Sequence, residues 1–139
     1  MNPTDSWALD PLAAWSPRID ALPAPSLQLA HRTGHADRHL LDGDQAYLST
    51  VAEFVGFLYA SGWMIPGFDW GAWQRTAEAK RLWTEGDALE TATPEQLAKV
   101  LTTLVRQDRF VDGTIDAAIA DRTLHRVLAR ATRLADDAR

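Results

Sequence analysis

Thr93-Pro94-Glu95-Gln96-Leu97-Ala98-Lys99-Val100-Leu101-Thr102-Thr103-Leu104-Val105-Arg106 is the stretch that decides the fold. Threonine caps helix N-termini, and proline suits the first helical position, where its missing N–H would have no partner anyway. Glutamine three residues after the cap can reach back to the cap's own amide. Behind this start, Leu97, Val100, Leu101, Leu104 and Val105 recur at three- and four-residue intervals. That is the period of a helix with one apolar face.

Toward the C-terminus, Gln107-Asp108-Arg109-Phe110-Val111-Asp112-Gly113 interrupts the pattern, and Asp112-Gly113 reads as a turn. Helical character resumes from Thr114 to about Ala135, with Leu124, Val127, Leu128, Ala131, Leu134 and Ala135 on one face. Asp136 and Asp137 sit at the negative end of the helix dipole, so the last residues are expected to fray.

Toward the N-terminus, Asp69 reads as the cap of a helix from Trp70 to about Thr84, with Trp70, Trp73 and Ala77 on one side and Gly86 closing it. Asp42-Gly43-Asp44 reads as a turn before a helix from Asp44 to Ser61. Its apolar face carries Tyr47, Val51, Phe54, Val55, Leu58 and Tyr59, and Gly62 supplies a left-handed C-terminal position. Trp63-Met64-Ile65-Pro66-Gly67 follows as a short buried loop.

Five of the 7 prolines fall before residue 26 and forbid a long helix there. Trp7, Leu9, Leu12, Trp15, Ile19 and Leu22 are nonetheless too apolar for a free tail. The fold expected is all-α: a single-domain bundle of four to five helices over residues 43–139, with residues 1–42 a proline-rich arm packed across it. A disordered extension is the rival reading of that arm. No strand pattern is evident, and only Leu27–Tyr47 has room for a short hairpin.

Composition narrows the function classes. The 139 residues suit one domain, and 46% apolar content supplies a core without staples. With 14 basic against 19 acidic side chains the formal charge is -5, which argues against a general polyanion binder. Cysteine is absent, which removes disulfides, thiol nucleophiles and Cys-based metal sites. No run reaches the length of a membrane span, and Met1–Asp5 lacks the basic and apolar regions of a signal peptide. A soluble, cytoplasmic protein is the expectation.

Two clusters stand out as candidate sites. Trp63, Trp70, Trp73 and Trp83 fall within a short span of a chain holding 6 tryptophans. They read either as core or as the lining of a groove, with Trp70, Trp73 and the polar handle Asp69 the favoured set. Arg106, Asp108, Arg109 and Asp112 form the densest polar group on an apolar scaffold. A carboxylate at Asp108 on the leucine side of its helix must be paired or hydrogen-bonded. The cluster therefore reads as an ion pair or cap fixing the angle between two helices, as an anion-binding or acid/base site, or, if the helix ends earlier, as a solvated Asp108.

Other motifs are weaker. Arg122, Arg126, Arg130 and Arg133 make a stripe opposite the leucines of the last helix, and a solvated outer face explains it better than phosphate tracking. Nucleic acid is accordingly not an expected partner. His31, His35 and His39 lie four apart, but Gly34 and the poor helical context speak against a metal site. No Gly-x-Ser-x-Gly elbow or phosphate-binding glycine loop occurs. No cofactor is implied.

From Phe54 onward the chain resembles a known family. The likeness runs through Gly62-Trp63-Met64-Ile65, Phe68-Asp69-Trp70, Trp73 and Glu78. It continues through Leu101-Thr102-Thr103-Leu104-Val105-Arg106, Asp108-Arg109-Phe110 and Asp112-Gly113. These blocks resemble the bacterial family known as domain of unknown function 6508, over roughly the last two thirds of the chain. The resemblance implies a glycine inside the final helical region, near Asp121-Arg122, which this chain lacks. It supplies no activity.

The function expected is a small binding or interaction protein that uses Asp69, Trp70, Trp73, Arg106, Asp108, Arg109 and Asp112 to engage a protein or a small anionic ligand, with a homodimer as a further arrangement. The alternative is a small enzyme whose Asp/Arg/His cleft lies at the 106–113 junction, with Asp108 or Asp112 near His125.

Overall fold

The computed structural model describes residues 7–23, 42–85, 87–111 and 113–138. Its helices are α1 (Leu9–Ala13), α2 (Ser16–Asp20), α3 (Asp42–Ala60), α4 (Trp70–Trp73), α5 (Ala77–Thr84), α6 (Pro94–Asp108), α7 (Thr114–Ala120) and α8 (Thr123–Asp137), with a 3-10 turn at Leu89–Thr91. No strand occurs among the described residues. The all-α expectation holds, with more and shorter helices than the four or five expected. Residues 24–41, which contain His31, His35, His39 and much of the hairpin candidate, lie outside the described residues, as do Gly86 and Asp112.

α6 starts as its cap dictates. Thr93 Oγ1 accepts from the Gln96 amide at 3.1 Å, and Gln96 Oε1 accepts from the Thr93 amide at 2.9 Å. The helix is buried well beyond one apolar face, because Thr102 and Thr103 are fully covered too. Their hydroxyls must then find partners inside the protein. Thr103 donates to the Lys99 carbonyl one turn back at 2.7 Å. Thr102 accepts from the Ile65 amide at 3.1 Å and donates to the Trp63 carbonyl at 3.3 Å, pinning the 63–65 loop to α6.

α3 begins at Asp42, so Asp42-Gly43-Asp44 forms its first turn instead of a turn before it. Its C-terminus is the glycine cap expected: Gly62 has φ 85°, and the Trp63 amide donates back to the Leu58 carbonyl at 3.1 Å. Tyr47, Phe54 and Leu58 are buried, while Tyr59, expected on the same face, is exposed.

Two expected helices are each broken. The 70–84 helix splits because Thr76 takes an extended conformation and caps α5, its Oγ1 accepting from the Ala79 amide at 3.2 Å. The 114–135 helix splits at Asp121-Arg122. Arg122 adopts φ 66°, the left-handed region that ordinarily costs a non-glycine residue on the order of 1 kcal/mol. Asp121 Oδ1 then accepts from the Thr123 amide at 2.9 Å. The break that the resemblance assigned to a glycine is made here by an arginine.

α8 is the central element. It packs against α1, α2, α6, α7 and the 3-10 turn, burying Leu124, Val127, Leu128, Ala131 and Ala135. Arg130, one of the expected outer stripe, turns its Nε to the Ala92 carbonyl at 2.8 Å. Leu9, Leu12 and Ile19 of the two N-terminal helices are buried, Trp7 stacks on Trp63 at 5.0 Å, and Trp15 meets Phe54 edge-on at 5.3 Å.

Replacing Thr102 by valine keeps the shape and strips the hydroxyl, leaving the Ile65 amide and Trp63 carbonyl without their partner. A loss of about 1–3 kcal/mol is expected in urea denaturation, against a much smaller loss for Ser49→Val on the exposed side of α3.

Candidate functional site

The 106–113 junction is built by short-range bonds. The Phe110 and Val111 amides both donate to the Gln107 carbonyl at 2.9 Å, which turns the chain out of α6. Thr114 Oγ1 donates to the Val111 carbonyl at 2.9 Å. Gly113, at φ 91°, is the N-cap of α7 but brings no side chain, so the cap comes from Asp108: its Oδ1 accepts from the Ile115 amide at 3.1 Å. Asp108 is thus one of the polar groups setting the angle between α6 and α7.

α4 lies beside this end of α6. Asp69 caps it, Oδ1 accepting from the Ala72 amide at 3.0 Å. Gln74 Nε2 donates to Gln107 Oε1 at 2.5 Å, and Trp70 stacks on Phe110 with centroids 6.1 Å apart. Trp70, Arg106, Asp108 and Arg109 therefore gather around the end of α6. Phe110 is 77% exposed and Val111 55% exposed, so the junction presents an apolar tip. Arg109 is exposed beside it, and the buried Nε of Arg106 has no hydrogen-bond partner among the described residues.

Trp73 is set differently. It is buried against Phe68, and its indole N–H donates to Glu78 Oε1 at 2.7 Å. Glu78 also accepts from Gln96 and Lys99, each at 3.3 Å. The Trp73 hydrogen bond holds the Glu78 carboxyl below the usual range, helped by Gln96 and Lys99 against a desolvation that pushes it up. Trp70 and Trp73, the expected pair, divide between a half-open stack and the core.

A second constellation surrounds His125. A cavity of about 360 Å³ between α2 and the first turn of α8 is lined by Ser16, Asp20, Asp121, Arg122, His125, Arg126 and Ala129. His125 is 7% exposed, and its Nδ1 is buried with no hydrogen-bond partner among the described residues. Burial foremost, then the charge of Arg122, holds the imidazole below its ordinary range; Asp20, a backbone hydrogen bond with Ile19, and Asp121 pull the other way. The carboxylates acting on His125 are thus Asp20 and Asp121. Asp108 lines a separate cleft of about 410 Å³ with Asp116 and the apolar side chains of Leu48, Val55 and Ile115. Within that neighbourhood the buried Tyr47 hydroxyl donates to Asp116 Oδ1 at 2.6 Å, and burial with this bond pushes the phenol far up.

Sequence reading missed the set around His125. Asp20 is remote in the chain, and no glycine or proline marks the break at Asp121-Arg122 that swings two arginines to one side. The usable signal was Asp-Arg-Thr, a turn-and-cap pattern inside a helical run. No group of three or more His, Asp or Glu side chains suited to a metal occurs among the described residues.

Residues 5–137 match the model of a family described as a family of unknown function, DUF6508. The chain belongs to that family. The match takes in the N-terminal helices as well as the last two thirds, where the resemblance lay. No curated protein and no solved structure is detectably similar to the chain. No helix among the described residues is long and apolar enough to cross a membrane.

His125 binds its proton less readily folded than unfolded. Its contribution to stability is complete above the unfolded value of about 6.5 and is lost as pH falls through the lower folded value. The drop in urea midpoint between pH 7 and pH 5 should be smaller in His125→Gln than in the wild type; an equal drop shows that His125 does not set this limb.

Proposed function

We propose that this family member is a small interaction protein that docks a protein partner on the tip formed by Trp70, Phe110 and Val111, with Arg106 and Arg109 at its edge. The observation that carries the reading is the exposure of Phe110 at 77% on a turn tied down by backbone bonds. Large apolar side chains held out of a core on a built turn mark contact surfaces, and aromatic and arginine residues dominate the energetics of such contacts. The partner that fits offers an apolar recess rimmed by carboxylates for the two arginines. Asp69 and Asp108 serve this surface by capping α4 and α7, and Trp73 by anchoring α4 to Glu78.

The enzyme alternative placed Asp108 or Asp112 beside His125. It is less well supported, since Asp108 caps α7 and the cavity of His125 draws its carboxylates from α2 and the α7–α8 turn.

Phe110→Glu should cost no more than about 1.5 kcal/mol of stability in urea denaturation, the worth of its stack on Trp70, because the side chain is otherwise exposed. Binding to a partner recovered with the wild-type protein and then purified should weaken at least tenfold in Phe110→Glu and fall in Arg109→Glu, while Tyr59→Glu leaves it unchanged. Undiminished binding in Phe110→Glu defeats the proposal. Light scattering across concentration, repeated on Phe110→Glu, shows whether the partner is a second copy of this chain.

A further inference from the structure

Val51 and Val55 belong to the apolar face expected of α3, yet the fold leaves both half-buried, together with Leu48, and leaves Ala52 exposed. The four stand at i, i+3, i+4 and i+7, so they form one stripe along the helix. With Ile115 and Asp116 of α7, and with Asp108 and Gly113, the stripe lines the cleft of about 410 Å³. An apolar stripe kept half-open to water carries a cost that a covering surface removes.

Two observations say what covers it. The first is charge. Asp108 and Asp116 both line the cleft. Asp108 caps α7 and Asp116 accepts from Tyr47, but an ionised carboxylate keeps its charge while making such bonds and accepts several of them. Arg109 is the complement: it is exposed, adjoins Phe110 in the chain and has no acidic partner among the described residues. The second is position. Tip and cleft belong to one junction, since Phe110 and Val111 lie in the chain between Asp108 and Gly113. The tip is held away from its own cleft: its amides are tied to the Gln107 carbonyl, and Phe110 stacks on Trp70 of α4. A surface that sets an apolar projection with a cation beside an apolar recess with carboxylates is complementary to itself under a two-fold rotation.

We propose that the partner of the docking tip is a second copy of this chain, with Phe110 and Val111 of each copy entering the cleft between α3 and α7 of the other. Arg109 of each copy meets Asp108 and Asp116 of the other. The inference rests on the docking reading of the tip and names its partner. Because the two contacts are related by the two-fold, association closes at two copies.

Sedimentation equilibrium of the full chain across concentration tests this. The wild type should dimerise. Phe110→Glu spoils the tip, and Ala52→Arg fills the cleft with a bulky cation. Each should weaken dimerisation about tenfold or more, while Tyr59→Glu, exposed on α3 and outside the cleft, should not. Ala52 and Phe110 are exposed, so both variants keep the fold, which far-ultraviolet circular dichroism checks. The deciding measurement is an equimolar mixture of the two variants. The Ala52→Arg chain keeps its tip and the Phe110→Glu chain keeps its cleft, so one native contact survives in the mixed dimer. In the other contact the new carboxylate meets the new guanidinium. The mixture should therefore dimerise where neither variant does alone. A mixture that stays monomeric overturns the proposal, as does dimerisation undiminished in either variant. A wild type that is monomeric up to about 1 mM, the weak end of measurable affinity, overturns it too. The docking reading survives that last result if Phe110→Glu still weakens binding of a different protein, and falls with it if binding is unchanged.

Discussion

Everything in this domain converges on Trp63, an indole with no exposed surface set between three parts of the chain. Its backbone amide closes the cap of α3, its carbonyl is held by Thr102 in the middle of α6, and its ring N–H donates to the Ala8 carbonyl at 3.3 Å. Trp7 covers its face. A buried indole needs both a large apolar surround and one partner for its N–H. Meeting both demands here brings the N-terminal helices, the end of α3 and the centre of α6 to one place. The position of α8 follows, since it fills the space against α1, α2 and α6.

That geometry divides the polar residues into those that build and those that remain open. Asp69, Thr76, Thr93, Asp108 and Asp121 each hold a backbone amide at or near a helix start. Glu78 gathers Trp73, Gln96 and Lys99 into one knot. The unspent capacity lies at the apolar tip of Phe110 and Val111 and in the cleft between α3 and α7.

Legibility varied with how local the cause was. The capping box at Thr93, the glycine cap at Gly62 and the cap at Asp69 were readable because their donors and acceptors lie within a few residues. The splits at Thr76 and Asp121-Arg122 also rest on local caps, but Thr and Asp inside an otherwise continuous apolar period do not by themselves show that the helix restarts there. The cluster Arg106–Phe110 was visible as an oddity, but the exposure of Phe110 was not, since a leucine-rich neighbourhood gives no sign of which side a turn will face. Trp70 and Trp73 looked equivalent in the sequence. A helix of only four residues, ended by the turn at Gln74–Thr76, gave them different surroundings.

By itself the amino-acid sequence determined the helical class, the starts of α4, α6 and α7, the apolar faces of α6 and α8, and the family through its Trp63, Asp69-Trp70 and Asp108-Arg109-Phe110 blocks. All of these rest on interactions between residues at most a few turns apart, or on short motifs. Tertiary structure alone decided that Trp73 is core and Trp70 half-buried, that an arginine takes the left-handed turn, and that Asp20 comes to stand beside His125. Those outcomes depend on which helices meet, and that is settled by how the buried side chains of distant segments fill a shared volume.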